Sequence, residues 1–361
     1  MDKMAWKPDL DEVVERYMAL WEGKLNNQIM VIMELNPANL GYQKSWNYKF
    51  EYDFLKVCPD IPSMFAANER LLRLHSKIHD DYIPTAWVTY GGAAGGAFLG
   101  ADMKFYPASG GYSPPLIKSW DQLDYLKFDP DWKWNVELRK ACKFFAKHAA
   151  GRFGSAIMEA AADLDLVHNL RGFQFLYDVY DHREEVERLM DISIEFNIKW
   201  IDMQRKALGE ANTYRGGRFD FWGMWVPNDT IFLGVDCYIL CGPEILEWGR
   251  PYIQKLVDHY GAGYLHNHAK GLFLLPDLLK IKKLIGMQFS DDPGEPKLFP
   301  RMHEIQELTG NMPIMVDVDF DFFVLALEEH CLKPGAIYWV RGVPSIDTAN
   351  KIMKKVRKYR A

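Results

Sequence analysis

Apolar residues along this chain recur with two alternating periods. Short β-type runs occupy 29–35 (IMVIMEL), 85–90 (TAWVTY), 155–160 (SAIMEA) and 230–236 (TIFLGVD). Four more follow at 263–268 (GYLHNH), 283–289 (KLIGMQF), 312–318 (MPIMVDV) and 336–341 (AIYWVR). Helical spacing fills the intervals. The stretch 62–78 puts Phe65, Leu71, Leu72 and Ile78 near one face, and 135–149, 170–208, 243–261 and 320–331 also predict helices. Gly261 suits a left-handed cap, and 345–359 starts with Ser or Thr cap candidates and ends in Lys and Arg.

A strand followed by a helix, eight times over, implies parallel strands joined by right-handed crossovers. The expected fold is α/β: a (β/α)8 TIM barrel in one domain, 1–361, with an N-terminal helical extension over 1–27. Residues 91–134, containing GGAAGG and GGYSPP, are too long for a simple connection and predict an excursion over the barrel mouth. An open doubly wound sheet is the competing arrangement. No GxGxxG follows the first strand, which removes support for a dinucleotide there.

Charge narrows the partners. A net charge of −6 argues against nucleic acid. No run of 18 apolar residues predicts a membrane span, and the start MDKMAWKPDLDEVVERY lacks a signal-peptide layout, so a cytoplasmic location is expected. The cysteines Cys58, Cys142, Cys237, Cys241 and Cys331 are scattered, with no second close pair to complete a zinc knuckle. They are expected to be free thiols. Aromatic residues reach 14%, enough both to fill a core and to line a pocket for a flat ligand.

Chemistry in such barrels gathers at the C-terminal strand ends. That rule selects Glu34, Asn36, Tyr90, Glu159 with Asp163 and Asp165, Asp236, His266, His268, Gln288, Asp291, Asp317, Asp319 and Arg341. In YLHNHAKG, His266 and His268 are two apart on a predicted strand and therefore face one space. They either hydrogen-bond neighbouring strands or, with Glu34 or Asp236, hold a divalent metal such as zinc. Arg341 needs an anion, either an internal carboxylate or a substrate's. Trp222 and Trp225 precede the fourth strand and Tyr90 follows the second, so all three are candidate substrate-binding rings.

Four segments resemble the uroporphyrinogen decarboxylase superfamily, in order and spacing: FLGADMKFYPASGGYSPPLIKSWDQLDYL, DCYILCGPEILEWGRPYIQKLVDHY, HNHAKGLFLLPDLLKIKKLIGMQF, and GNMPIMVDVD with RGVPSIDTANKIMKKVRKY. The likeness covers most of 95–360 and implies a TIM barrel. True uroporphyrinogen decarboxylases hold an anionic tetrapyrrole with arginines near the first strand. Here Glu34 stands about where an arginine is wanted, and none occurs between Arg16 and Arg70. The family's His-Gly near the last strand is Arg341-Gly342.

The chain looks closer to the corrinoid-linked methyltransferase branch. Its thiol-methylating members bind zinc through a His-x-Cys pair on strand five and a Cys in the closing loop. This sequence has His266-x-His268, with Arg341 at the closing position. The resemblance implies methyl transfer between a small methoxy or methylamine-like donor and a corrinoid protein. The candidate metal ligands are then His266, His268 and Glu34, and the candidate catalytic residues, taking the strand-end groups together, are Asp236, His268, Glu34 and Arg341. Tyr90, Trp222, Trp225 and Asn36 are named for substrate. Zinc is the implied cofactor, with the corrinoid carried by the partner protein, and a homodimer is compatible with it. Two other functions stay open: a cofactor-free decarboxylase of a carboxylated substrate, and a non-catalytic barrel that binds a tetrapyrrole or corrinoid.

Overall fold

Each of the eight apolar runs forms a strand in the computed structural model, which describes residues 4–36, 60–106, 110–161 and 163–361. Seven strands make one parallel sheet. In spatial order they are Met30–Leu35, Ala336–Val343, Ile314–Asp319, Leu284–Ser290, Gly263–His268, Ile231–Gly234 and Ala160–Ala161. A separate parallel ladder joins Thr85–Trp87 to Gly154–Ala156. Segment 154–161 therefore serves two ladders, one at each end. Met158, between them, turns its amide to Gln204 Oε1 (2.8 Å), which ends the first ladder before the second begins. The predicted second strand is shorter than its apolar run, ending at Trp87.

Between Met30–Leu35 and the segment leading into Thr85–Trp87, two side chains and one backbone bond make the contact. Asp81 Oδ2 accepts from the Val31 amide (2.8 Å) and Asp80 Oδ2 from the Met33 amide (2.7 Å). The Asp81 amide donates to Val31 O (2.9 Å). Both carboxylates are fully buried, and each replaces the carbonyl that a ladder would supply.

Local chemistry sets the helix ends. Asp60 caps Ile61–His75 by accepting from Ser63 N (2.9 Å), and Ser345 caps Ile346–Val356 by accepting from Thr348 N (3.1 Å). Gly261 ends Pro243–Tyr260 at φ +84°, the left-handed cap expected there. The predicted helix 170–208 is divided. Gly172, at φ +64°, and His182 separate Asp163–Arg171, Phe175–Asp181 and Arg183–Leu208.

The extension is helical over Leu10–Trp21, and its last indole donates to Trp225 O (2.7 Å). Residues 91–134 contain the 3-10 turn Gly92–Leu99 and the hairpin Lys104–Tyr106/Gly110–Tyr112. They pack on the helix Asp163–Arg171, with Ile117 N donating to Leu170 O (2.9 Å). No described helix is long and apolar enough to cross a membrane. Cys142, Cys237, Cys241 and Cys331 are free, and Cys58 lies outside the described residues.

Candidate metal centre

Strand Gly263–His268 runs between Ile231–Gly234 and Leu284–Ser290, in a register that sets Gly234 beside His266 and His266 beside Gln288. His266 and His268 project from one face, as the two-residue spacing requires. Their Nε2 atoms stand 2.9 Å apart. Asp236 follows the neighbouring strand, and its Oδ1 lies 3.8 Å from His266 Nε2 and 3.6 Å from His268 Nε2. Among the described residues, these three form the cluster whose ligand atoms converge closely enough to hold a metal ion.

Each outer nitrogen faces an oxygen. His266 Nδ1 bonds to Gln288 Oε1, while Gln288 Nε2 donates to Ser290 Oγ (2.9 Å), which fixes the amide's orientation. His268 Nδ1 is 3.0 Å from Asp292 Oδ1, and the other oxygen of Asp292 is held by the Lys270 amide (2.9 Å). A carbonyl oxygen only accepts, so the His266 ring carries hydrogen at Nδ1 and turns its Nε2 lone pair inward. His268 Nδ1 stands within ion-pair distance of Asp292 but outside hydrogen-bond geometry. With the two Nε2 atoms 2.9 Å apart, a proton or a cation belongs between them. In a tetrahedral zinc site with bonds of about 2.0–2.1 Å, ligand atoms stand about 3.3 Å apart. The edges of this triangle, 2.9, 3.6 and 3.8 Å, bracket that value. Outer-shell oxygens on ligating imidazoles are themselves characteristic of metal sites.

The electrostatics agree with the geometry. Burial lowers the pKa of His266, and a charged His268 would lower it further. At His268 burial also works downward, but Asp236 and Asp292 outweigh it and hold the value above that of a free imidazole. Burial works to raise the pKa of Asp236, whereas the two histidines bring it below the usual carboxylate range.

Asp165 positions Asp236. Its Oδ1 accepts from Cys237 N (2.7 Å) and its Oδ2 from Asp236 N (3.3 Å), fixing the start of the turn Asp236–Cys241. Burial and repulsion from Asp236 push the Asp165 carboxyl up to about 7. Asp163 is fully buried and accepts from Tyr238 OH (2.5 Å).

Aromatic rings lie beside the histidines. Trp222 stacks towards His266 at 6.3 Å between centroids and meets Trp339 edge-on at 5.2 Å. Phe232 is 6.1 Å from His266. Gly223 makes the Trp222 turn feasible. It sits at φ +71°, and a Cβ there would fall 1.9 Å from the Tyr82 ring. Gly223→Ala is expected to destabilise the protein by at least about 1–3 kcal/mol through overpacking. Denaturant unfolding measures this, and an unchanged midpoint with unchanged slope would contradict it.

Glu34 and Arg341, named with the metal and the catalysis, belong to a second cluster. Glu34 Oε2 accepts from Trp339 Nε1 (2.6 Å) and from Arg341 Nη1. Arg341 Nη2 contacts both oxygens of Asp317 (3.0 and 3.2 Å), and the guanidinium lies 4.5 Å from the Trp339 ring centroid. Arg341 therefore has internal carboxylate partners, and the third ligand atom beside the histidines comes from Asp236, with Glu34 directed to this other cluster. Burial, then Glu34, raise the Asp317 carboxyl above its usual value against the pull of Arg341.

The other named residues are dispersed. Trp225 is buried on the far side of the Trp222 turn, its indole donating to Tyr214 O (2.7 Å) and its carbonyl held by Trp21. Tyr90 is fully buried, edge-on to Phe98 and Trp134 at 6.1 Å. Asn36 donates its amide to Val343 O (2.8 Å), tying the first strand to the last. Asp291 accepts from Leu298 N (2.9 Å) and pairs with Lys297 (3.0 Å), which also lies 3.9 Å from the half-exposed Asp319. Two contributors escaped the sequence analysis: Asp292 and Trp339. Asp292 had a signal, since it adjoins Asp291 just past a strand end. No protein-family model matches the chain, and neither does any curated protein.

Proposed function

We propose that the eight parallel segments close into a (β/α)8 barrel of the uroporphyrinogen decarboxylase superfamily, and that the protein is a zinc-dependent methyltransferase. It would exchange a methyl group between a small methylated donor and a corrinoid protein. The convergence of His266 Nε2, His268 Nε2 and Asp236 Oδ1, with Gln288 and Asp292 behind the imidazoles, carries this proposal. The three side chains leave a fourth position open, as catalytic zinc sites do. Bound there, zinc supplies Lewis acidity to an oxygen or sulfur of the donor or acceptor.

The chain's own groups do the rest. Gln288 holds His266 in the tautomer that offers Nε2, and Asp292 sets a negative charge beside the outer nitrogen of His268. Asp165 holds the backbone of Asp236. Trp222 provides an apolar wall beside His266, backed edge-on by Trp339. The decarboxylase alternative asks Arg341 to bind a substrate carboxylate, but two internal carboxylates already engage that guanidinium. This favours the methyltransferase.

Purified protein is expected to carry about one zinc per chain, and chelation should abolish methyl transfer to a corrinoid protein until zinc is restored. Transfer that survives complete metal removal overturns the proposal. Asp292→Asn should weaken zinc binding about 10–100-fold, the usual effect of losing an outer-shell carboxylate. Competition with a chromogenic chelator measures it, and an unchanged constant would contradict the role given to Asp292.

A further inference from the structure

Three helices away from the metal centre carry an uncovered apolar face. The strands Leu284–Ser290, Ile314–Asp319 and Ala336–Val343 are neighbours in the sheet, and the helices Met302–Thr309, Phe320–Glu328 and Ile346–Val356 follow them in the same order. Lys355 on the third helix reaches Glu328 on the second (2.9 Å), so these two lie side by side. The middle helix buries Phe323, Ala326 and Leu327. On its opposite side Phe322 and Leu325 are 56% and 52% exposed, and Leu308, near the end of the first helix, is 50% exposed. One exposed leucine needs no explanation, but three large apolar side chains on successive helices form a patch.

Charge divides across this patch. Glu328 marks the side of the middle helix that faces Ile346–Val356. With 3.6 residues per turn, Phe322 and Glu329 lie on the other side, towards Met302–Thr309, and Leu325 lies between. On that other side Glu307 and Glu329 are exposed, and among the described residues neither forms an ion pair. Asp321 is exposed too, in the first turn, where the helix dipole favours an acid. On the Ile346–Val356 side, Lys351, Lys354 and Lys358 are exposed and, among the described residues, likewise unpaired. Residues 348–361 hold six Lys and Arg and no acid, in a chain of net charge −6. The dipole accounts for cations in the last turn, but Lys351 stands mid-helix.

A face with an apolar centre, acids along one side and bases along the other is complementary to its own copy after a half-turn. A two-fold axis through the centre lays each copy's lysines on the other copy's glutamates and packs the apolar side chains together. We infer that this face is the interface of a two-fold homodimer, with Phe322 and Leu325 at the axis and Lys351 and Lys354 of each copy opposite the partner's Glu307 and Glu329. Asp236, His266 and His268 belong to other strands, so the inference is independent of the methyltransferase proposal.

Sedimentation velocity on the full chain tests it. Wild type is expected to dimerise with a micromolar Kd, as a small interface with few apolar anchors does, and to weaken at least about threefold when salt is raised from about 0.05 to 0.5 M. Leu325→Glu should raise the Kd at least about tenfold by setting like charges across the axis. Lys351→Glu with Lys354→Glu should raise it at least about threefold, and adding Glu307→Lys with Glu329→Lys should restore it. All five side chains are exposed, so melting temperatures should hold within a few degrees. A monomer at about 0.5 mM, a dimer indifferent to Leu325→Glu, or a double charge reversal that fails to restore association overturns the inference.

Discussion

His268→Ala is expected to remove the metal and the methyl transfer together. His268 is the hinge of the cluster: its Nε2 faces His266 and Asp236, and its Nδ1 faces Asp292. Without it two ligand atoms remain, 3.8 Å apart, too few for a stable zinc site. Zinc affinity should fall by more than about 100-fold, beyond the loss typical of an outer-shell change. Methyl transfer should become undetectable. The side chain is about one-quarter exposed and lies at a strand end, so the fold should survive with a change within about 1 kcal/mol. Metal analysis, activity and circular dichroism separate these effects. A His268→Ala protein that keeps stoichiometric zinc would sink the metal centre.

The largest loss of stability is expected from Asp81→Ala. Its carboxylate accepts from the Val31 amide and pairs with Arg16 (3.0 Å) and Arg357 (2.8 Å), groups from the first strand, the N-terminal helix and the chain's end. Truncation leaves two partly buried guanidinium groups and an amide without their acceptor, a loss of about 3–5 kcal/mol. The same residue sets part of the acid sensitivity. Burial works to raise the pKa of Asp81, but Arg357 and Arg16 outweigh it and hold the folded value below the ordinary carboxylate range. The unfolded chain then binds the proton more tightly than the folded one. The stabilisation is present in full above the unfolded pKa of about 4 and is lost as pH falls through the lower, folded value. Denaturant unfolding between pH 7 and pH 2 should show wild type losing this increment on acidification, while Asp81→Ala lacks it throughout. Parallel curves for the two proteins would refute the assignment.

The parallel strands were legible because an apolar run bounded by turn residues is a local signal, and each of the eight runs contains a strand. The antiparallel strands Lys104–Tyr106 with Gly110–Tyr112, and Thr213–Tyr214, Gly217–Phe219 and Trp225–Pro227, carry no such run and were not read. His266 and His268 were legible for the same reason, since a two-residue spacing needs no tertiary knowledge. What escaped were relations between distant segments. Glu34 and Arg341 are 307 residues apart, and nothing near either one announces that they pair. Their pairing left Asp236 as the neighbour of the histidines. Trp222 and Trp225 look equivalent in FWGMW, yet a left-handed turn at Gly223 sends one ring to His266 and the other to Tyr214. A one-dimensional pattern does not encode that reversal. Asp80 and Asp81 fall between a predicted helix and a predicted strand, and nothing local announces that both are fully buried against the first strand.

That acidic pair also has an evolutionary consequence. Backbone ladders form with almost any side chains, so the pairings of the seven-stranded sheet and the ladder of Thr85–Trp87 with Gly154–Ala156 tolerate sequence drift. The join of the first strand to Asp80 and Asp81 depends on two particular side chains. A chain of this fold without acids at both places would have to fasten its first strand with other groups.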